Sequence, residues 1–368
     1  MADKRTSRVI ALVLALCTIL LCACESEPVD TSIWAQNELP YNYRLDEYVV
    51  LGEYRGVSDV PVELEYDFNS RRNARLAKLY PELVTFTKVD TVERGDKVVL
   101  ECEVYLDGEP CDFIKAGSYE IFIGALTSLD VLSDPYTESL LVNAIQRSIN
   151  SECEFTVPSF YSDIRYKGKT LNVKSKLVSV YRPDYSALTD NAALEHGYES
   201  IEALYNAAEI DVYTEDARII EYAKKRILWD RAVADATFFT PLPASELARC
   251  EEEYIDYYEE IAEYNKISLD EYLKSVQISS EQMLSDARAY AEEKVKNELL
   301  AFAIAYEEEL IPTQTQCQML GHELAHTLGY SGYDELISYN TEKSVYVYII
   351  WDTAVTFILD NARATSNE

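Results

Sequence analysis

Val98-Val99-Leu100-Glu101-Cys102-Glu103-Val104-Tyr105-Leu106-Asp107-Gly108 sets the architecture of the first half of the chain. Side chains alternate across a strand, so Val98, Leu100, Cys102 and Val104 share one face. Val99, Glu101, Glu103 and Tyr105 share the other. One face is apolar and the other largely wet, the pattern of an antiparallel sheet covered on one side. Asp107-Gly108 then reads as a hairpin turn, because both residues accept the positive φ that a tight turn demands.

The same period of two recurs downstream. Ile121-Phe122-Ile123 is a short apolar strand before Gly124. Cys153, Phe155 and Val157 alternate with Glu152, Glu154 and Thr156, and Leu171, Val173, Ser175 and Leu177 alternate with Asn172, Lys174 and Lys176. Between these runs, Tyr136 to Ile149 has helical spacing. A half-wrapped antiparallel sheet with one helix is predicted, an α+β unit over residues 91–183. Ahead of it, residues 46–90 carry a short strand and turn at 47–56 and a helix around Arg71 to Leu79, closed by Pro81.

After Arg182-Pro183 the pattern turns helical, and residues 184–368 read as an all-helical domain. Ile219, Ile220, Ala223, Ile227, Leu228 and Ala234 follow helical spacing. Pro241-Leu242-Pro243 breaks the run. A helix follows from about Ser245 to Tyr264. Ser268-Leu269-Asp270-Glu271 is a capping box, Ser279 with Gln282 opens a long helix, and Thr313 with Gln316 opens the next. The last segment, Glu342 to Ala362, contains a Val345–Ile350 run compatible with a strand, but its length favours a helix. The glutamate runs at 251–253 and 307–309 read as solvated helix faces.

Several of these stretches resemble known families. Val92-Glu93-Arg94-Gly95-Asp96-Lys97-Val98, Leu106-Asp107-Gly108-Glu109-Pro110-Cys111-Asp112 and Ile121-Phe122-Ile123-Gly124 resemble successive blocks of an FKBP-type prolyl isomerase domain, closest to the middle domain of trigger factor. Val157-Pro158-Ser159-Phe160-Tyr161 resembles that family's Phe-Pro-Glu-x-Tyr stretch, and Lys167-Gly168-Lys169-Thr170-Leu171 onward its last strand. Thr237-Phe238-Phe239-Thr240-Pro241, Ile267 to Lys274, Val295 to Leu300 and Phe357 to Ala362 resemble blocks of the trigger factor C-terminal domain, a helical module related to that of SurA-like chaperones. The resemblance implies an FKBP-like half-barrel followed by helical chaperone arms. It implies unfolded or nascent secreted polypeptides as partners, and no cofactor.

The family's isomerase chemistry relies on aromatic rings that desolvate an X-Pro amide, whose rotation barrier is ~18–20 kcal/mol. Here Cys102, Cys111 and Val173 stand where the family carries aromatics, while Asp112 is retained. The resemblance leaves Asp112, Ile123, Tyr136, Pro158 and Tyr161 as the candidate prolyl groove, and implies weak or lost isomerase activity.

The front of the chain differs from the family. Lys4, Arg5 and Arg8 precede the apolar run Val9–Leu21, which is too short to span a bilayer but suits a signal peptide. Leu21-Cys22-Ala23-Cys24 resembles the lipobox of bacterial lipoproteins. Residues 1–23 are therefore read as a lipoprotein signal peptide, Cys24 as the acylated residue that holds the chain to a lipid bilayer, and residues 24–45 as a polar tether. The Gly-Phe-Arg-x-Gly-Lys loop of the family's ribosome-docking domain has no counterpart. The expectation is an extracytoplasmic, membrane-anchored chaperone without a ribosome partner.

The chain has 368 residues with 33 basic and 65 acidic side chains, a formal net charge of -32. Such a surface repels nucleic acid phosphates, so no nucleic acid partner is expected. The 29 tyrosines suit adaptable peptide-binding surfaces, with compositional habit the plainer explanation. Beyond Cys24, five cysteines remain at 102, 111, 153, 250 and 317, with no zinc-ribbon spacing. Cys102 and Cys111 flank the turn and are compatible with a bridge; five small buried hydrophobes is the preferred reading.

One motif points elsewhere. Gly321-His322-Glu323-Leu324-Ala325-His326 contains His-Glu-x-x-His, in which His322 and His326 can hold a metal with Glu323 as base. On a helical wheel with Leu320 at 0°, Leu324 and Leu328 lie at about 40° and 80°, and His322 and His326 at about 200° and 240°. The leucines should face a core and the histidines should face away. No third ligand stands at the usual spacing, where Gly332 occurs, and the surroundings read as helices and not the sheet a zincin needs. A zinc peptidase is thus the alternative reading, no metal the preferred one, and a non-catalytic adaptor lipoprotein a further alternative.

Overall fold

The computed structural model describes residues 44–362. The signal peptide, most of the tether and Cys24 lie outside the described residues. The chain forms two compact units. One takes residues 61–161 and 166–223; the other takes residues up to 60, 162–165 and 224 onward. These divisions differ from the boundaries expected at 90/91 and 183/184.

The first unit is built on a six-stranded antiparallel sheet. Strand β7 (Thr170–Asp184) is its spine. On one side it pairs with β3 (Lys97–Leu106); on the other it pairs with β6 (Ser151–Thr156) near its start and β2 (Thr85–Val89) near its end. Strand β3 pairs in turn with β5 (Gly117–Phe122) and with β4 (Glu109–Pro110). The hairpin turn forms at Asp107 and Gly108, with φ of 53° and 88°. The alternation read from the sequence holds: Val98, Leu100, Cys102, Val104, Leu171 and Val173 are buried.

Helix α2 (Pro135–Arg147) lies on that apolar face. Asp134 caps it by accepting from the Thr137 N–H at 2.9 Å, and Leu141, Ala144 and Ile145 join the sheet's core. This is the expected α+β arrangement of an antiparallel sheet and one helix. Strand β2 was not expected. Its sequence, Thr-Phe-Thr-Lys-Val, buries no residue fully, so neither face carried a hydrophobic signal. Its partner β7 continues through Pro183, which sits opposite Phe86.

Helix α1 (Phe68–Leu79) and the first part of α4 (Ile201–Asp235) also belong to this unit. Leu76 of α1 shares a buried cluster with Leu188, Ala193, Leu204 and Ala208, where Ala193 lies on the short helix α3 (Asp190–Glu195). Ion pairs Arg72–Glu209 at 2.9 Å, Arg75–Asp211 at 2.7 Å and the buried Arg71–Asp216 line the same contact. This packing explains why residues 61–90 and 184–223 group with the sheet.

The second unit is mainly helical: the end of α4, then α5 (Ala244–Tyr264), α6 (Leu269–Ser275), α7 (Ser280–Glu307), α8 (Gln314–Thr327), α9 (Tyr333–Tyr339) and α10 (Glu342–Asp360). Both capping boxes form, at Ser268 with Glu271 and at Thr313 with Gln316, and Ser279 accepts from the Gln282 N–H at 3.0 Å. The Val345–Ile350 run is helical. This unit is not all-helical, however. Strand β1 (Val49–Val50) pairs with β8 (Thr237–Phe238), placing Val49 opposite Phe238. Gly52 allows the close approach, since a Cβ there would lie 2.1 Å from the Asp235 carbonyl oxygen. Tyr54 donates to Glu308 at 2.6 Å and Lys224 pairs with Asp59 at 2.8 Å, fixing residues 49–60 to this unit.

Charge is buried between α5 and α7. Arg249 bonds Glu246 at 2.9 Å, and Glu253 and Glu298 at 2.6 Å each; Lys294 pairs with Glu253. Glu253 was expected on a solvated face but is buried, because Lys294 from the facing helix meets it there. Burial opposes the Glu253 carboxylate, yet Lys294 and Arg249 outweigh it and hold its carboxyl below the usual range. A depressed carboxyl contributes stability above the unfolded pKa and loses it as pH falls through the folded value. Lys294→Met should therefore cost about 3 kcal/mol near neutrality, because the buried carboxylate then keeps Arg249 alone as counter-charge. The loss of stability on acidification should also become shallower in the variant. Urea unfolding at pH 7 and pH 4 checks both; an unchanged midpoint at pH 7 would count against a load on this pair.

Candidate functional site

The predicted prolyl groove lies in the first unit, and its residues divide into subsets. Asp112 follows β4 in a turn and accepts a hydrogen bond from the Tyr166 hydroxyl. Tyr161 is 5% exposed and joins the sheet's core. The link between them is Phe113, which the sequence reading passed over. Its ring centre lies 5.4 Å from Tyr161, 5.2 Å from Tyr166 and 5.8 Å from Phe155. Tyr136, on the first turn of α2, instead lies against Phe160 at 6.2 Å. Ile123 packs on the edge of the core, and the Pro158 carbonyl accepts from the Tyr161 N–H at 3.2 Å. The structure thus brings Asp112 and Tyr161 to one ring cluster and places Tyr136 in another ring pair.

The four clustered rings are buried: Phe113 5%, Phe155 4%, Tyr161 5% and Tyr166 4% exposed. A ring whose faces touch other rings has no face left for a proline. Cys102 and Val173, expected where the family has aromatics, are fully buried in the same core, and burial pushes the Cys102 thiol up to about 11. It stays protonated at neutral pH, behaving as a small hydrophobe. Cys111 is half-buried, and all five described cysteines are free thiols. A bridge between Cys102 and Cys111 is absent because Cys102 faces inward, opposite Ser175 of β7 and Gly117 of β5.

The signal for Phe113 was weak but present. It is an apolar pair with Ile114 directly after a hairpin, and such a pair at the end of a strand must turn into a core.

The His-Glu-x-x-His stretch occupies α8. His322, Glu323 and His326 are exposed, as the wheel required. The buried face is formed by Cys317, Gly321 and Ala325, flanked by half-buried Leu324 and Leu328. Leu320 was expected inside and is 37% exposed. The burial axis runs through Gly321, where the Tyr333 ring of α9 presses so closely that a Cβ would meet it at 2.4 Å. Leu320 lies at the margin of that axis.

His322 has a structural task. Its Nδ1 accepts from the Tyr333 N–H at 3.2 Å, at the start of α9, where the N-cap Gly332 offers no side chain. Among the described residues no group of three or more His, Cys, Asp or Glu gathers where a metal ion would be held. The two histidines and Glu323 keep their mutual spacing without a third ligand.

With the geometry in place, the chain can be compared with known proteins. The structure is of the α+β class, an antiparallel sheet with helices. No family model matches. The sequence is 25% identical over 338 residues to the trigger factor of Caldicellulosiruptor bescii, covering 89% of this chain and 74% of that one. It is 26% identical over 275 residues to the trigger factor of Halalkalibacterium halodurans, covering 71% and 60%. With the trigger factor of Geobacillus kaustophilus the identity is 30% over 200 residues, covering 52% and 44%. A solved trigger factor chaperone, studied for promiscuous substrate recognition in folding and assembly, aligns with a TM-score of 0.39 and 15% identity over 85% of this chain and 72% of its own. The sequence similarities support a trigger factor-like chaperone.

Four substitutions test the local assignments. Phe113→Ala removes the ring that three others contact and should lower stability by about 3–5 kcal/mol, read from denaturant unfolding. His322→Ala should cost about 1 kcal/mol, the size of a lost cap, while His326→Ala and Glu323→Ala should change stability by less than about 0.5 kcal/mol. Equal losses at His322 and His326, restored by added zinc, would instead mark a metal site.

Proposed function

We propose that this chain is a membrane-anchored, extracytoplasmic chaperone of trigger factor type. It binds unfolded or newly secreted polypeptides and has little or no prolyl isomerase activity. The observation that carries the reading is the similarity to trigger factors over 89% of the chain, a span that takes in both compact units.

Three further features support it. The lipobox-like Leu21-Cys22-Ala23-Cys24 follows a basic and then an apolar segment, which argues for acylation at Cys24. Among the described residues no helix is long and apolar enough to cross a membrane. Burial of Phe113, Phe155, Tyr161 and Tyr166 against one another argues for low isomerase activity, because the twisted amide needs open ring faces. Binding without catalysis asks only for plastic apolar patches and weak reversible contacts.

At equimolar protein, aggregation of a refolding client followed by light scattering should be suppressed; no suppression would overturn the chaperone reading. On a prolyl peptide, the rate should stay at the uncatalysed value, set by a barrier of ~18–20 kcal/mol. Cys24→Ala should shift the protein from the membrane fraction to the soluble fraction.

A further inference from the structure

In the first unit a cleft of ≈ 250 Å³ opens between a loop and a strand end. One wall is residues 63–65, the other the end of β6, and the floor is one face of α2. Residues 61–66 belong to no helix or strand. Their exposure alternates, with Pro61, Glu63 and Glu65 out and Val62, Leu64 and Tyr66 half-buried.

Strand β6 pairs with β7, and no other strand pairs with it among the described residues. The register tells which of its backbone groups are committed. The Val157 N–H donates to the Lys169 carbonyl at 2.9 Å. In an antiparallel ladder the bonded positions alternate, so Phe155 and Cys153 also address β7. The backbone groups of Glu154 and Thr156 then point the other way, toward the cleft. No described backbone bond joins them to residues 63–65. An open strand edge beside a cleft is a template for one more strand.

The lining selects the occupant. Leu64 and Leu140, both half-buried, offer apolar surface to an occupant. The rim is acidic, with Glu63, Glu65 and Glu154 exposed, and its one base, Arg147, already lies 3.9 Å from Glu65. That exposed pair contributes little and yields readily.

We propose that this cleft binds an extended segment of polypeptide by strand addition to the free edge of β6, with an apolar side chain against Leu64 and Leu140 and a lysine or arginine facing Glu63 and Glu154. As a client-binding mode it rests on the chaperone reading; as a peptide site it can be tested apart from it. The clamp is a backbone ladder, so it tolerates many sequences, and the acidic rim biases the choice.

The test uses the full chain and two labelled, acetylated ten-residue peptides that alternate valine with lysine or valine with glutamate. Fluorescence anisotropy should show the lysine peptide binding at least 10-fold more tightly than the glutamate peptide. Glu63→Lys with Glu154→Lys should reverse that order. Thr156→Pro removes the N–H assigned to the free edge and leaves the backbone bonds to β7, losing only the exposed Thr156–Thr170 hydroxyl contact of 3.1 Å, and should weaken lysine-peptide binding at least 10-fold with the fold retained. In the wild type, the Glu154 and Thr156 amides should gain hydrogen-exchange protection when the lysine peptide binds. Unchanged binding in these variants, with client aggregation still suppressed, would overturn the cleft and leave the chaperone reading standing. Binding that follows the variants as stated, without suppression of aggregation, would support the cleft and remove the chaperone reading.

Discussion

Every backbone donor and acceptor along a buried strand has to find a partner, and in the sheet unit this constraint falls on the fifteen residues of β7. No single neighbour is long enough to satisfy both of its sides. Strand β3 covers most of one side, and β6 and β2 divide the other between its two ends. The irregularity in the β3–β7 register, where Val178 is left over and half exposed, lets so long a strand twist and keep both sets of partners. The inward face of β7, with Leu171 and Val173, then fixes where α2 must lie. The path of β6 fixes where the loop carrying Tyr161 and Tyr166 begins. The closed ring cluster follows from these placements.

The helical unit meets a different demand. A chain with so large an acidic excess cannot place all its carboxylates in water and still build helix–helix contacts. Glu246, Glu253 and Glu298 therefore lie inside, and Arg249 serves all three while Lys294 reinforces one. Replacing such a network by apolar side chains often stabilises a protein, so its presence speaks for a defined pairing of α5 with α7 more than for raw stability. Arginine suits the central place because its planar fork offers several donors at fixed angles.

Much of this was legible in the sequence. Period-two alternation located β3, β6 and β7, because each has one buried face. The capping residues located the starts of α6, α7 and α8, because a cap is a local hydrogen bond between neighbours in sequence. The sequence lacked information wherever a partner is distant. Strand β2 is held by the far end of β7 and carries no hydrophobic period of its own. Strand β8 exists only because Val49 and Val50 lie beside it. Leu320 was placed inside by a wheel that counted leucines as the core. The actual contact is Gly321 against Tyr333, which needs the smallest residue on the face and not the largest. Among the candidate groove residues, Asp112 and Tyr161 are linked through Tyr166 and Phe113, neither of which the sequence pattern singled out. Family matching names positions, whereas packing decides which ring fills a space.

The pairing of β1 with β8 has a consequence in time. A chain emerging from its N-terminus presents residues 44–60 well before their partners, so Val49 and Val50 must wait for Thr237 and Phe238, and Tyr54 for Glu308. Most of the sheet unit, ending at residue 223, is synthesised within that interval and can close before the outer unit is complete. The protein is thus an outer unit interrupted by an inner one. Strand β1 is among the last elements to find its place, and that late pairing closes a loop of nearly two hundred residues.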